Sequence, residues 1–88
     1  MEEVKFKKLE ILKLCWNKIS NINIFENANF KELKELDLSN NEINDIRVLE
    51  KVKFKKIEKL KIERNKISNE FLSTIRDLKI KFNASINY

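Results

Sequence analysis

The residue types that most often carry out chemistry are scarce in this chain. It contains no histidine, which excludes histidine-based acid–base catalysis and histidine ligation of a metal. It contains no glycine, so it lacks the glycine-rich loop that cradles phosphate groups. The one cysteine, Cys15, cannot form an internal disulfide and has no histidine to activate it. We therefore expect no enzymatic activity, no cofactor and no metal site.

Positive charge is the main chemical feature of the 88-residue sequence, which has a formal net charge of +5. Some lysines recur at a constant interval and others cluster further along the chain: Lys7, Lys31, Lys55 and Lys79, and Lys51, Lys53, Lys56, Lys59 and Lys61. A basic surface favours acidic partners and supports weak binding to phosphate backbones. Because few aromatic residues lie among these lysines and no nucleic-acid-binding motif is present, a solvated face is the simpler interpretation.

The distribution of apolar residues bears on the compartment. No apolar segment follows the N-terminal charges, and none reaches the roughly 18 residues of a transmembrane helix. A single cysteine fits a reducing environment. We therefore expect a cytoplasmic or nuclear protein that does not bind a membrane.

The apolar residues themselves belong to a pattern that occurs three times. The central copy reads L-x-x-L-x-L-x-x-N-x-I, and the other copies lie 24 residues before it and 24 residues after it. We call this interval, which is also that of the recurring lysines, the repeat length. The positions are Leu9, Leu12, Leu14, Asn17 and Ile19; Leu33, Leu36, Leu38, Asn41 and Ile43; and Ile57, Leu60, Ile62, Asn65 and Ile67. A phenylalanine lies three residues before each copy, at Phe6, Phe30 and Phe54. Three copies in one register indicate a repeat protein.

These residues resemble the signature of the leucine-rich repeat family, whose repeats span roughly 20–29 residues. The resemblance implies an α/β fold, namely a right-handed solenoid with a concave parallel β-sheet and short helices or turns on the convex side. It also implies a single domain over residues 1–88. Its repeats would span about 6–29, 30–53 and 54–77, with a C-terminal capping helix and strand at about 69–88. The pair Asp45-Ile46, which follows the motif asparagine, is similar to the pattern of the phosphatase-regulator-like, short-repeat subclass of the family. The return segment of this chain is longer than in that subclass.

Alternation of apolar and polar residues within each copy predicts a short strand with one buried face. The apolar pairs are Leu12 and Leu14, Leu36 and Leu38, and Leu60 and Ile62. Strands running in the same direction need crossover connections. Apolar residues there predict short helices or helical turns that close the core: Ile22, Ile24 and Phe25, and then Ile46, Val48, Leu49 and Val52. We also expect Phe6, Phe30 and Phe54 to stack beneath these returns, with Leu78 continuing their register.

The resemblance implies a role for the asparagine of each copy. In the family this side chain points inward and its amide bonds to turn backbone that no strand can satisfy. A buried main-chain group without a partner costs about 1–3 kcal/mol. We therefore expect Asn17, Asn41 and Asn65 to form a structural ladder.

The two ends of the chain depart from the repeat. Ser68-Asn69 predicts a helix cap, and the helix continues through Phe71, Leu72, Ile75 and Leu78. A fourth strand follows, in which Ala84 and Ile86 lie one repeat length after their counterparts in the third copy. A competing alignment also fits the motif but makes the last repeat shorter than is usual in the family; it uses Ile75, Leu78, Ile80 and Asn83. Residues 1–5 carry too few apolar side chains to cap a solenoid, so the chain is either a piece of a longer array or has an exposed, self-associating first strand.

In leucine-rich repeat proteins, the side chains between the leucines form the open face that usually binds partners. The residues expected to bind a partner are Ile11, Lys13, Trp16, Glu35, Asp37, Asn40, Lys59, Lys61 and Arg64, and their three rows continue to Asn83, Ser85 and Tyr88. Lys13, Asp37 and Lys61 form either a surface salt-bridge ladder or a recognition stripe. Trp16 is either an exposed anchor or a rim residue that covers the N-terminal end.

Three hypotheses about function follow. The first is a non-catalytic module that binds a protein partner through the concave face, and the basic surface favours an acidic partner. The second is a structural fragment of a larger array with its binding surface elsewhere. The third is an RNA- or ribonucleoprotein-associated module, supported by charge alone.

Overall fold

The computed structural model describes residues 8–88, so Phe6, Lys7 and the expected start of the first repeat lie outside the described residues. This part of the chain forms six short strands, three 3₁₀-helices and one α-helix. The strands are β1 (Ile11–Lys13), β2 (Asn29–Phe30), β3 (Glu35–Asp37), β4 (Lys53–Phe54), β5 (Lys59–Lys61) and β6 (Ser85–Asn87). The 3₁₀-helices span Asn23–Asn27, Arg47–Glu50 and Asn69–Phe71, and the α-helix, α1, spans Leu72–Phe82.

Four strands form a parallel sheet in the order β1-β3-β5-β6. The offset from β1 to β3 and from β3 to β5 is one repeat length, so Leu12, Leu36 and Leu60 lie side by side. Because side chains alternate between the two faces of a strand, these leucines point to one side and their neighbours to the other. The predicted parallel strands are confirmed, and they explain why the motif repeats in a fixed register.

The return segments begin with side chains that fix a turn without glycine. Asn21 accepts a hydrogen bond through Oδ1 from the N–H of Asn23 at 2.8 Å. Asp45 accepts one through Oδ1 from the N–H of Arg47 at 3.0 Å. Such a bond from a side chain to the backbone two residues later bends the chain locally. A 3₁₀-helix follows in both returns.

These 3₁₀-helices bury one side of each return and leave the other in solvent. Phe25 is buried in the first, and Val48 and Leu49 are buried in the second. The prediction that Ile24 also closes the core is wrong, because 49% of its surface is exposed. A single short helical turn has only one face toward the sheet, and Ile24 lies on the other.

A smaller parallel sheet of β2 and β4 carries a column of aromatic rings. Phe30 and Phe54 lie opposite each other, with ring centroids 6.0 Å apart and ring planes 15° apart. The next ring in contact with Phe54 is that of Phe82, which meets it edge-on at 5.2 Å. The expected continuation, Leu78, is buried in the core. Phe82 lies one turn later on the same face of α1, so the helix extends the column with an aromatic ring.

The third return differs from the first two because it contains α1. Ser68 precedes the last 3₁₀-helix but makes no side-chain capping bond, and its hydroxyl accepts a hydrogen bond from Asn44 instead. Phe71 lies in the 3₁₀-helix and is buried, whereas Leu72 at the start of α1 is 46% exposed. Asn83 ends the helix in a left-handed conformation, with φ of 51°.

The predicted fourth strand exists, but its expected register was wrong by two residues. Leu60 pairs with Ile86, two residues beyond the repeat length, and Ala84 lies before the strand. An α-helix rises about 1.5 Å per residue and a 3₁₀-helix about 2.0 Å, so the helical return needs more residues to cover the same distance. The competing alignment is also wrong, because Ile80 is 77% exposed.

Burial is uneven along the sheet. The second copy of the motif is completely buried at its apolar positions: Leu33, Leu36, Leu38 and Ile43 are each 0% exposed. The corresponding residues of the first copy are only partly buried: Leu9, Leu12, Leu14 and Ile19. The core therefore has its centre at the second and third copies.

Candidate protein-binding surface

One side of the four-stranded sheet packs on the core, and the other side faces solvent. The residues of β1, β3 and β5 whose side chains lie on the side of the sheet away from the core, with the turn residue three positions after each strand, make up what we call the sheet face. Its residues are Ile11, Lys13, Trp16, Glu35, Asp37, Asn40, Lys59, Lys61 and Arg64. These are the residues expected to bind a partner, and the strand pairing brings them together in adjacent rows.

The turn residues of the sheet face share an unusual backbone conformation. Trp16, Asn40 and Arg64 have φ angles of 60°, 57° and 55°. The N–H of Trp16 donates to the carbonyl of Ser39 at 3.2 Å, and the N–H of Asn40 donates to that of Glu63 at 3.0 Å. Asparagine tolerates the left-handed region, whereas a residue with a bulky side chain loses about 1–2 kcal/mol there. The turn therefore holds a tryptophan and an arginine at a conformational cost.

Large apolar side chains are exposed at the β1 end of the sheet face. Trp16 is 75% exposed and Ile11 is 54% exposed. An exposed tryptophan is the type of side chain that most often anchors a protein interface, because it buries a large area with few rotatable bonds. The sequence predicts for Trp16 either this role or that of a rim residue, and its high exposure shows that little of the described structure covers it.

The sheet face has more cations than carboxylates, whereas a salt-bridge ladder requires similar numbers of each. Lys61 Nζ lies 3.8 Å from Glu35 Oε2, and both side chains are half-buried. Lys13 and Lys59 are exposed. With Arg64, the face carries four cations against two carboxylates, so its net charge is positive.

Asp37 does not have the exposed position that the ladder interpretation gave it. It is 7% exposed, and its Oδ1 accepts hydrogen bonds from the Ser39 N–H at 3.0 Å and the Ser39 hydroxyl at 2.6 Å. Burial raises the pKa of this carboxyl, but the hydrogen bonds from Ser39 and the charge of Lys61 outweigh burial, so its pKa lies below the usual value. Asp37 therefore stabilises the turn after β3.

The rows of the sheet face end differently from the sequence expectation. Lys59 lies beside Ser85 and Lys61 beside Asn87, whereas a register of one repeat length would have placed Asn83 and Ser85 there. Tyr88 accordingly follows the end of β6 rather than continuing the row of Arg64. The two-residue shift of β6 accounts for each of these differences.

The motif asparagines bond the backbone of the turns beside the sheet face. Asn41 Oδ1 accepts the N–H groups of Asn17 and Ile19, both at 3.1 Å. Its Nδ2 donates to three carbonyl groups, those of Leu14, Leu38 and Ser39. Asn65 makes the corresponding bonds one repeat later, to the N–H of Ile43 and the carbonyls of Leu38, Ile62 and Glu63. Asn17 is exposed and donates to the carbonyls of Leu14 and Cys15.

Several lysines outside the sheet face are paired with a glutamate of the preceding repeat. The ion pairs one repeat length apart are Lys34 with Glu10 at 3.4 Å, Lys56 with Glu32 at 2.6 Å and Lys66 with Glu42 at 3.3 Å. The hydrogen bond from Lys56 lowers the pKa of Glu32. These pairs were not predicted from the sequence, although a glutamate and a lysine at equivalent positions of successive repeats would have indicated them.

Within residues 8–88, no group of three His, Cys, Asp or Glu side chains could hold a metal ion. Cys15 is a free, half-buried thiol. No helix in this part of the chain has the length and apolar character needed to cross a membrane.

Comparison with known protein families agrees with the repeated motif. The family model described as Leucine Rich Repeat matches residues 32–51, which contain the central copy. Neither the comparison with curated proteins nor that with solved structures gave a match. Leucine-rich repeat domains generally serve as protein-interaction modules without catalytic activity. Its parallel strands and its buried leucines in one register agree with this match, which identifies a leucine-rich repeat at residues 32–51.

Proposed function

We propose that this protein is a non-catalytic interaction module that binds an acidic protein partner through the sheet face. In this proposal the repeats form a right-handed solenoid, and the sheet face is its concave side. The observation that carries the proposal is Trp16, a large aromatic side chain that is 75% exposed and held in a left-handed turn.

The conformation of Trp16 supports a role in binding rather than in folding. Its side chain contributes little to the core, and its backbone would adopt the same turn more easily with asparagine, as Asn40 does one repeat later. Strained residues of this kind concentrate at functional sites, where the strain is offset by the rest of the fold. A tryptophan in a partner pocket can contribute roughly 2 kcal/mol or more to binding.

The charge of the sheet face indicates the chemistry of the partner. Lys13, Lys59 and Arg64 are exposed cations, whereas Glu35 is paired with Lys61 and Asp37 is bonded to Ser39. Cations in this arrangement attract carboxylates, and they raise the association rate more than the final affinity. An acidic patch around an apolar pocket that accepts Trp16 would complement the sheet face.

Two other hypotheses remain as alternatives. RNA binding has weaker support, because Lys51, Lys56 and Lys61 of the lysine cluster form ion pairs with glutamates. The partly buried apolar residues of the first copy support a place in a larger array, or self-association through β1.

A pull-down from an extract of the source cells tests the proposal. Wild type is compared with the double variant Trp16→Ala, Lys61→Glu, with and without nuclease treatment. We expect a protein that is retained after nuclease treatment and lost with the variant. Retention that requires intact RNA would contradict protein binding and favour the RNA alternative. Equal retention by both proteins would contradict the sheet face as the binding site.

A further inference from the structure

A shallow groove lies between α1 and the end of β6, which we call the C-terminal groove. It consists of two depressions of about 160 Å³ and about 240 Å³. Both are lined by Leu72, Ile75 and Tyr88, so they lie next to each other against the same apolar residues. Because β6 ends at Asn87 and α1 begins at Leu72, the groove occupies the place where the helical return meets the last strand.

The floor of the C-terminal groove exposes apolar surface that the fold does not need. Leu72 is 46% exposed and Tyr88 is 61% exposed, whereas Ile75 below them is 2% exposed. Ile67, at the end of the third motif copy, extends the same floor. An exposed apolar floor with a polar rim is the usual composition of a surface that receives a partner side chain.

The charged side chains that line the C-terminal groove are cationic among the described residues, and Asn65 adds a neutral polar side chain. Arg64 lines the smaller depression, and Arg76 and Lys79 line the larger one, while no Asp or Glu side chain among the described residues lines either. Lys79 Nζ lies 4.9 Å from the centre of the Tyr88 ring, so its charge stands directly over the aromatic floor. Three cations around one apolar floor are complementary to an apolar side chain with carboxylates beside it.

The size of the groove limits what it can hold. Pockets for whole small-molecule ligands usually measure roughly 300–1,000 Å³, and each depression here is smaller. One aromatic or branched aliphatic side chain fits this volume better than a complete cofactor. Most of the binding must therefore come from the groups of the ligand that lie on either side of that side chain.

We propose that the C-terminal groove binds an acidic peptide segment, with one large apolar side chain on the floor and flanking carboxylates on Arg64, Arg76 and Lys79. The proposal rests on the proposed function in one respect, since the ligand is a segment of a protein. It concerns a second site at the opposite end of the sheet from Trp16, which shares Arg64 with the sheet face. A partner that reaches both sites would span the whole sheet.

The test uses short synthetic peptides and the amide NMR spectrum of the full chain. One peptide carries phenylalanine between pairs of glutamates; a second carries phenylalanine between pairs of lysines; a third carries glycine between pairs of glutamates. We expect saturable shifts for Leu72, Ile75 and Tyr88 with the first peptide only. Binding by the lysine peptide, or no saturable shift at these amides with the first peptide, would overturn the proposal.

A matched pair of variants separates the groove from general charge attraction. Arg76→Gln, Lys79→Gln removes two exposed cations of the rim, and Lys31→Gln, Lys55→Gln removes two exposed lysines that do not line the groove. We expect the rim variant to bind the glutamate–phenylalanine peptide about fivefold more weakly and the control to bind as wild type does. Equal affinities for the two variants would contradict the proposal.

The sheet-face variant shows whether the two proposed sites are independent. Trp16→Ala, Lys61→Glu leaves the residues that line the C-terminal groove unchanged, so it should bind the peptide as wild type does. Loss of peptide binding in that variant would overturn the groove as the peptide site. Absence of peptide binding in wild type would overturn the groove proposal and leave the pull-down comparison unaffected.

Discussion

Asn41 shows how a chain without glycine or proline closes its turns. Its side chain makes five hydrogen bonds to main-chain groups of two successive turns. These groups lie beyond the ends of the strands, and of them the Ser39 carbonyl also accepts the Trp16 N–H at 3.2 Å. The side chain is 7% exposed, so water cannot replace it readily.

Asn41→Ala should therefore be among the most damaging substitutions. We expect a loss of about 3 kcal/mol in the free energy of unfolding, because several main-chain groups lose their partners at once. Asn17→Ala is the control, since Asn17 is exposed and its side chain bonds two carbonyls in the structure. Urea unfolding followed by circular dichroism measures both. Equal losses for the two variants would mean that burial of the ladder has no effect.

Backbone strain at the turns can be measured in the same way. Arg64→Asn should raise the free energy of unfolding by about 0.5–1 kcal/mol, because asparagine adopts the left-handed conformation more easily than arginine. The reciprocal change, Asn40→Arg, places arginine at the equivalent turn and should lower stability by a similar amount. If both variants unfold at the wild-type urea concentration, the turns are not strained.

The carboxyl of Asp37 gives stability a pH dependence. Its pKa is lower in the folded chain than in the unfolded chain, so the unfolded state binds the proton first. The stabilisation is present above the unfolded pKa and is lost as pH falls through the lower pKa of the folded chain. Asp37→Asn removes this group and should lose less stability than wild type as pH falls. Parallel curves of unfolding free energy against pH would exclude the effect.

At the scale of elements, the two-residue shift of β6 follows from replacing a 3₁₀-helix with α1. The shift buries Ile86 beside Leu60 and leaves Ile80 in solvent. The competing alignment of the motif would have buried Ile80 instead. The burial of Ile86 and of Ile80 therefore distinguishes the observed register of β6 from the competing alignment.

Truncating each isoleucine tests the register. Ile86→Ala should cost about 2 kcal/mol or more, because a buried side chain is lost and a cavity remains. Ile80→Ala should change the unfolding free energy by less than about 0.5 kcal/mol, as for other exposed positions. Thermal and urea unfolding provide the two values. A larger loss for Ile80→Ala would contradict the observed register.

The strands that repeat could be placed in register from the sequence, whereas the C-terminal helix and the fourth strand were predicted but the strand was placed two residues out of register. Leu36 and Leu60 could be placed correctly because alternation and the constant spacing act together. Ile24 was misplaced because apolar type alone does not tell which side of a short helix faces the sheet. The buried Asp37 carboxylate accepts a hydrogen bond from the Ser39 hydroxyl in place of water. The spacing of apolar residues carries no information about such a local hydrogen bond.

At the scale of the whole molecule, positive charge and exposed apolar surface occur together at two places. Ion pairs between successive repeats neutralise lysines such as Lys34, Lys56 and Lys66. Lys13 and Lys59 on the sheet face, and Arg76 at the C-terminal groove, are exposed. The sheet face adds Trp16, and the groove adds Tyr88. Exposed cations therefore lie beside exposed apolar surface at both proposed sites.

The most direct test of the sheet face is an affinity measurement with the purified partner and two matched double variants. Trp16→Ala, Lys61→Glu changes the sheet face; Ile24→Ala, Lys55→Glu makes the same change of charge and removes an exposed apolar side chain on a return segment. We expect the first to weaken binding at least about 30-fold, corresponding to roughly 2 kcal/mol, and the second to bind as wild type does. Equal affinities would contradict the assignment of partner binding to the sheet face.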